Sequence, residues 1–224
     1  MNNLSLVQHS TDEKVRHAAK APIPTVLTEI YSDSTNMAIW QRELCATLRR
    51  NLAHYLQKNS PNLNLTRIIE ADAIERDLAD ILTDFADHEA LRANIAELVD
   101  MFCCLFDLPR AGLRLKVLEH AMCPRFHVDR VPCRLVTTFC GAGTQWLPQP
   151  LVNYPMLGAN NQGLKDEASG LYQDENDIQA LKPGDVALLK GELWQGNEGA
   201  GLVHRSPPAN DTEKRLLLTL DFVR

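Results

Sequence analysis

In the segment FHVD (126–129) a histidine and an aspartate, His127 and Asp129, stand two residues apart in a run with strand character. Alternation along a strand sends both side chains to one face and Phe126 and Val128 to the other. One neutral imidazole and one carboxylate on a shared face can hold a metal ion together. A histidine from a distant strand would complete the 2-His-1-carboxylate set of non-haem Fe(II) oxygenases, which leaves coordination positions open for cosubstrate and dioxygen. His204, in GLVHRSPP, is the candidate third ligand, so His127, Asp129 and His204 form the expected catalytic metal centre. Other histidines fit less well: His9 and His17 lie near the N-terminus, His54 and His88 in or beside helical patterns, and His120 after a different strand.

Eleven residues beyond His204, Arg215 opens the run RLLLTLDF. Alternation there puts Arg215, Leu217, Thr219 and Asp221 on one face and Leu216, Leu218, Leu220 and Phe222 on the other. An inward guanidinium calls for an anion, and its fork suits a carboxylate. Arg215 is therefore the expected anchor for the distal carboxylate of 2-oxoglutarate, with Thr219 as helper and Arg134 as reserve anion binder. Taken singly, His204 reads as a hydrogen-bonded structural histidine and Arg215 as an ordinary salt-bridged arginine; their order and spacing favour function. Cys123, Cys133 and Cys140 flank the triplet and suggest zinc, yet they lack Cys-x-x-Cys spacing, and a buried cysteine is commonly a small hydrophobe.

Residues 1–33 mix charge and proline with little periodicity and read as an extended arm. From Ser34 the residues Met37, Trp40, Leu44, Leu48, Leu52, Tyr55 and Leu56 recur at helical spacing up to Asn59. A second stripe, Ile74 to Phe85 behind a cap at Asp72, and a third, Leu91 to Phe106, predict two further helices. After Pro109 the pattern becomes short β-type runs at 113–119, 126–129, 134–139, 186–190, 201–204 and 215–222. Strands parted by Gly and Pro turns, with no helices between them, predict a sandwich or barrel. The expected fold is α+β: an N-terminal helical segment (34–110) docked on a C-terminal double-stranded β-helix (111–224), a jelly roll of cupin type. A proline- and glycine-bearing loop at 148–178 is too long for a hairpin and reads as a lid. Tyr154, Asn160 and Asn161 are its candidate pocket walls.

The chain has 224 residues and a formal charge of -6, which gives no attraction to phosphate backbones, so nucleic acid is an unexpected partner. The N-terminus lacks an apolar signal core, and no run approaches the roughly 20 apolar residues of a membrane span. The expectation is a cytoplasmic protein with reduced thiols and no membrane partner. The helical segment offers a surface for a protein partner, while the substrate, free metabolite or protein side chain, stays undefined.

The motif order FHVD, RLVTTF, GAGTQWLP, KPGDVALL, VHRSPP and KRLLLTLDF resembles the prolyl-hydroxylase branch of the 2-oxoglutarate dioxygenases. That resemblance implies iron at His127, Asp129 and His204, and 2-oxoglutarate at Arg215. The wording CPRFHVDRVPCRL, GAGTQW, VALLKGE, GLVHRSPP and RLLLTLDF is also similar to the bacterial family catalogued as domain of unknown function 1826, over about residues 113–223. The family name supplies no reaction. A loose association with zinc homeostasis implies an alternative: a non-catalytic protein holding zinc instead of iron in the same pocket. A cupin-like metalloenzyme that uses no 2-oxoglutarate is the third reading. Trp146 departs from the wider dioxygenase pattern and has no expected role.

Overall fold

A computed structural model describes residues 15–59, 63–158, 163–208 and 214–223; His9, Asn160 and Asn161 lie outside them. Ten strands and three α-helices follow in chain order: β1 (His17–Ala21), β2 (Thr35–Trp40), α1 (Ala46–Asn59), β3 (Asn64–Glu70), α2 (Ile74–Leu78), α3 (His88–Phe106), β4 (Arg110–Leu118), β5 (Cys133–Cys140), β6 (Gln145–Trp146), β7 (Gln179–Ala180), β8 (Val186–Lys190), β9 (His204–Arg205) and β10 (Arg215–Phe222). Seven strands make one sheet in the order β1-β2-β8-β5-β10-β4-β3, and three make a second in the order β7-β6-β9. A bridge between His127 and His204 extends the small sheet by one position.

The central strand, β10, shows why the chain builds layers. Its residues are buried on both faces, and the period of two separates them by chemistry. Leu216, Leu218 and Leu220 join Leu48, Leu52 and Leu56 of α1 and Leu91, Ile95 and Leu98 of α3 in one apolar cluster on the outer face. Leu217 points inward, to a second cluster shared by Met37, Ile39, Val136, Ala187 and Leu189 of the large sheet with Trp146 of the small one. A third cluster of Phe126, Leu147, Leu171, Tyr172 and Val203 sits where the 148–178 segment packs on the small sheet. The result is a sheet-rich α+β fold of jelly-roll type.

The first half of the chain differs from the expected helical segment. Thr35–Trp40 is a strand, not the start of a helix: Met37, Ala38 and Ile39 are buried and pair antiparallel with β8. A stripe compatible with helical spacing is here overridden by the sheet that receives it. Asn64–Glu70 adds an unexpected edge strand against β4. The second expected helix is one short element, Ile74–Leu78, and its N-cap is Ala73 rather than Asp72. The described part of the arm is also structured, because β1 pairs parallel with β2 and a 3-10 turn at Pro24–Tyr31 buries Val26, Leu27 and Ile30. Farther along, GLVH contributes only His204 to a strand, and FHVD contributes only the His127 bridge. Among the described residues no helix is long and apolar enough to cross a membrane.

Candidate metal centre

His127 and His204 face each other through paired backbone bonds: each N–H donates to the other's carbonyl at 3.0 Å. The two imidazoles are consequently cross-strand neighbours, with ring centroids 4.6 Å apart. Asp129 lies past the bridge, and its backbone carbonyl is fixed by the Glu192 N–H at 2.9 Å. Gly191 lets these segments approach, since a Cβ there would lie 2.1 Å from the Val131 carbonyl oxygen and 2.8 Å from that of Asp129. One ligand atom from each of His127, Asp129 and His204 falls within 4.8 Å of the others.

The donor atoms are prepared for a cation. Nδ1 of His127 lies 2.9 Å from the Arg125 carbonyl, and Nδ1 of His204 lies 3.0 Å from that of Leu202. A carbonyl oxygen can only accept, so each Nδ1 is a donor to the backbone, and each Nε2 is the ring nitrogen left facing Asp129. Those Nε2 atoms stand 3.8 Å from Asp129 Oδ1 and 3.4 Å from Oδ2 respectively. Burial pushes the His127 imidazole below its ordinary value, and the neighbouring His204 adds to this. For Asp129 burial pulls upward, but the hydrogen bond and charge of His204, with Arg134 and His127, outweigh it. The carboxyl is held well below the ordinary range. Two imidazole nitrogens and one firmly ionised carboxylate oxygen fit a divalent cation of the iron or zinc kind.

Arg215 is 6% exposed and faces the interior from the first position of β10. One of its nitrogens, Nη2, donates to Thr138 Oγ1 at 3.2 Å and Thr144 Oγ1 at 2.8 Å, while its Nε is buried with no partner. Among the described residues no carboxylate pairs with it, and burial pushes the guanidinium down to about 10. Thr144 lies two residues before Trp146, the cross-strand partner of His204. The arginine head is thus held two residues along the chain from the position that pairs with His204. Gly143 allows this turn, because a Cβ there would lie 1.9 Å from the Leu181 carbonyl oxygen.

The other expected site residues fall as follows. Thr219 is buried on the interior face, as alternation requires, but Thr138 and Thr144 hold the Arg215 head. Arg134, the reserve anion binder, is committed to two carboxylates: Asp129 Oδ2 at 2.6 Å and Asp221, whose Oδ1 and Oδ2 it meets at 2.7 and 3.2 Å. Cys133 and Cys140 belong to the helix-side cluster, and burial pushes the Cys133 thiol far up, against thiolate ligation. Trp146 gains a structural role, filling the inter-sheet cluster beside His204. Sequence reading gave no role to Thr144 and placed Asp221 on the inward face without a partner, although GAGT and the alternation of RLLLTLDF marked their positions.

Two facing sheets with a His-x-Asp and distal His constellation define a jelly-roll-like protein with a candidate metal centre. The chain belongs to the family described as "Protein of unknown function (DUF1826)", which matches residues 21–221 and so takes in β2, β3 and the three helices as well as the C-terminal half. No curated protein matches it. Among solved structures it is similar to a rice dioxygenase for auxin oxidation, with 9% identity over 93% of this chain and 83% of that one at a TM-score of 0.49. It is also similar to a Pseudomonas putida prolyl-4-hydroxylase, with 13% identity over 89% and 91% of the two chains at a TM-score of 0.45. A third is EvdO2 from Micromonospora carbonacea var. aurantiaca complexed with 2-oxoglutarate, with 15% identity over 91% and 92% at 0.38.

Proposed function

We propose that this protein is an Fe(II)- and 2-oxoglutarate-dependent oxygenase that hydroxylates a substrate as yet unidentified. The observation that carries the proposal is Arg215, a buried cation with an unpartnered Nε and no carboxylate beside it among the described residues. An uncompensated buried charge is costly, and a fold that retains one beside a metal-type triad is prepared for an anion. A five-carbon diacid has the reach to place one carboxylate on this guanidinium and the other end near the triad. His127, Asp129 and His204 would hold the metal, with Arg215 and the hydroxyls of Thr138 and Thr144 orienting the far carboxylate. Iron with 2-oxoglutarate in such a site supplies oxidative chemistry, coupling decarboxylation of the keto acid to hydroxylation of a C–H bond. The protein's share is to fix the histidine tautomers, keep Asp129 ionised and exclude water from the Arg215 end.

Anaerobic titration of the apoprotein with Fe(II) and then 2-oxoglutarate tests this. A visible metal-to-ligand charge-transfer band should appear, and Asp129→Ala should abolish it. Firm zinc binding without any such band would favour the zinc-holding alternative, which leaves Arg215 without a task. Metal-dependent activity indifferent to 2-oxoglutarate would favour a cupin-like enzyme instead.

A further inference from the structure

The interior face holds a chain of alternating charge that ends on the metal triad. Arg114 Nη2 donates to Asp221 Oδ2 at 2.9 Å, Arg134 forks onto both oxygens of Asp221, and Arg134 Nη1 reaches Asp129 Oδ2 at 2.6 Å. Strand register builds it, since Asp221 of β10 stands directly opposite Arg134 of β5. We propose that Arg134 is a positioning residue: held by Asp221, it occupies one oxygen of Asp129 and thereby limits that carboxylate to metal coordination through the other.

The geometry of guanidinium makes this specific. A bidentate fork fixes the plane of the group, so the direction of the remaining donor is set before any metal arrives. Arg134, Asp221 and Asp129 have side-chain exposures of only 17%, 10% and 14%, which leaves little water to compete for these bonds. Arg114, at 43%, braces the chain from its open end. A carboxylate with Oδ2 engaged at 2.6 Å keeps Oδ1 for an ion. His127, His204 and Asp129 Oδ1 would then be the three protein donors to a metal and would leave its other places free, whereas a carboxylate binding through both oxygens would take one of these. On the oxygenase reading, which this inference deepens, those free places are what a chelating keto acid and dioxygen require. The expected anion-binding duty of Arg134 thus gives way to control of the metal's own ligand.

Cobalt(II) titration of the apoprotein tests the clamp without turnover, because cobalt reports both affinity and coordination in its visible spectrum. Arg134→Met should weaken cobalt binding by about 10- to 100-fold, the range for partners that orient a metal ligand, and should change the band shape. Since Arg134→Met takes a partner from both Asp129 and Asp221, Arg114→Met serves as the second variant: it removes only the half-exposed brace, and a smaller loss in the same direction is expected. Both proteins should keep a wild-type circular dichroism spectrum. Unchanged affinity and band shape in Arg134→Met would overturn the clamp while leaving the metal centre standing. A wild-type protein that binds no cobalt overturns the metal reading and the clamp together.

Discussion

The two faces of the large sheet are built from the same strands and solve different problems. On the outer face Leu113, Leu115, Leu135, Leu188, Leu216, Leu218 and Leu220 pack with α1 and α3 and hold no charge. On the inner face the same strands present Arg114, Arg134, Thr138, Arg215, Thr219 and Asp221, of which the last four are almost wholly buried. Close packing of apolar groups needs no partner beyond shape, whereas each polar group on the inner face needs a bond or an ion. The inner face satisfies Arg134 and Asp221 within the protein and, among the described residues, leaves Arg215 without a carboxylate. Stability should therefore reside mainly on one face, and ligand recognition on the other.

The largest expected effect is on the outer face. Leu218 is fully buried, so Leu218→Ala removes apolar volume and leaves a cavity costing about 2–5 kcal/mol. In a chain of this size the melting temperature should fall on the order of 10 °C. Metal affinity should stay at the wild-type value, because the triad lies across the sheet. Loss of both together in melting and cobalt titrations would break the division between the faces.

Arg215→Met probes the inner face and should act in the opposite sense. Burial depresses the guanidinium to about 10, so the folded state disfavours the charged form relative to the unfolded chain. The penalty is fully present at neutral pH and fades only as the pH rises through 10. Replacing the charge with an apolar chain should leave the apoprotein as stable as wild type or slightly more so. On the oxygenase proposal the variant should lose the ligand response: 2-oxoglutarate at 100 times its Kd should stabilise the metal-loaded wild type by about 2.7 kcal/mol and should not stabilise Arg215→Met. A wild-type melting temperature that ignores 2-oxoglutarate would remove Arg215 from the site.

Much of this division was legible in the residue pattern, for identifiable reasons. RLLLTLDF sets Leu216, Leu218, Leu220 and Phe222 against Arg215, Thr219 and Asp221, so the two faces of β10 followed from its chemistry even though Leu217 breaks the period. His127, Asp129 and His204 were readable because few residue types ligate metals, and the structure brings all three together. Legibility failed where burial on both faces erased the alternation: β2, with Thr35 to Ile39 all buried, matched a helical stripe just as well. It failed also at β3, whose alternation is interrupted by the exposed Ile68 on the solvent side. The clamp on Asp129 was hidden for another reason. It depends on Arg134 meeting Asp221 across 87 residues, and register between distant strands is settled by the whole sheet.

The smallest expected effect sharpens the contrast at the rim of the outer cluster, where one polar bond sits among apolar contacts. Tyr55 of α1 packs against Phe85 at 5.1 Å between ring centroids and donates its hydroxyl to Asp84 Oδ2 at 2.7 Å. Tyr55→Phe keeps the ring and removes that bond, so the cost at neutral pH should be about 1 kcal/mol. The pH dependence separates this from a packing defect. Burial first, then the Asp84 carboxylate, raises the phenol from 10.0 to about 12, which favours the neutral form in the folded state. Its contribution is complete below pH 10 and is lost as the pH rises towards 12, since the unfolded chain ionises first. Denaturant titrations should therefore show the wild type and Tyr55→Phe converging in stability between pH 10 and 12. A constant gap across that range would mean that the hydroxyl contributes through shape alone, and that even the rim of the outer face works without polar partners.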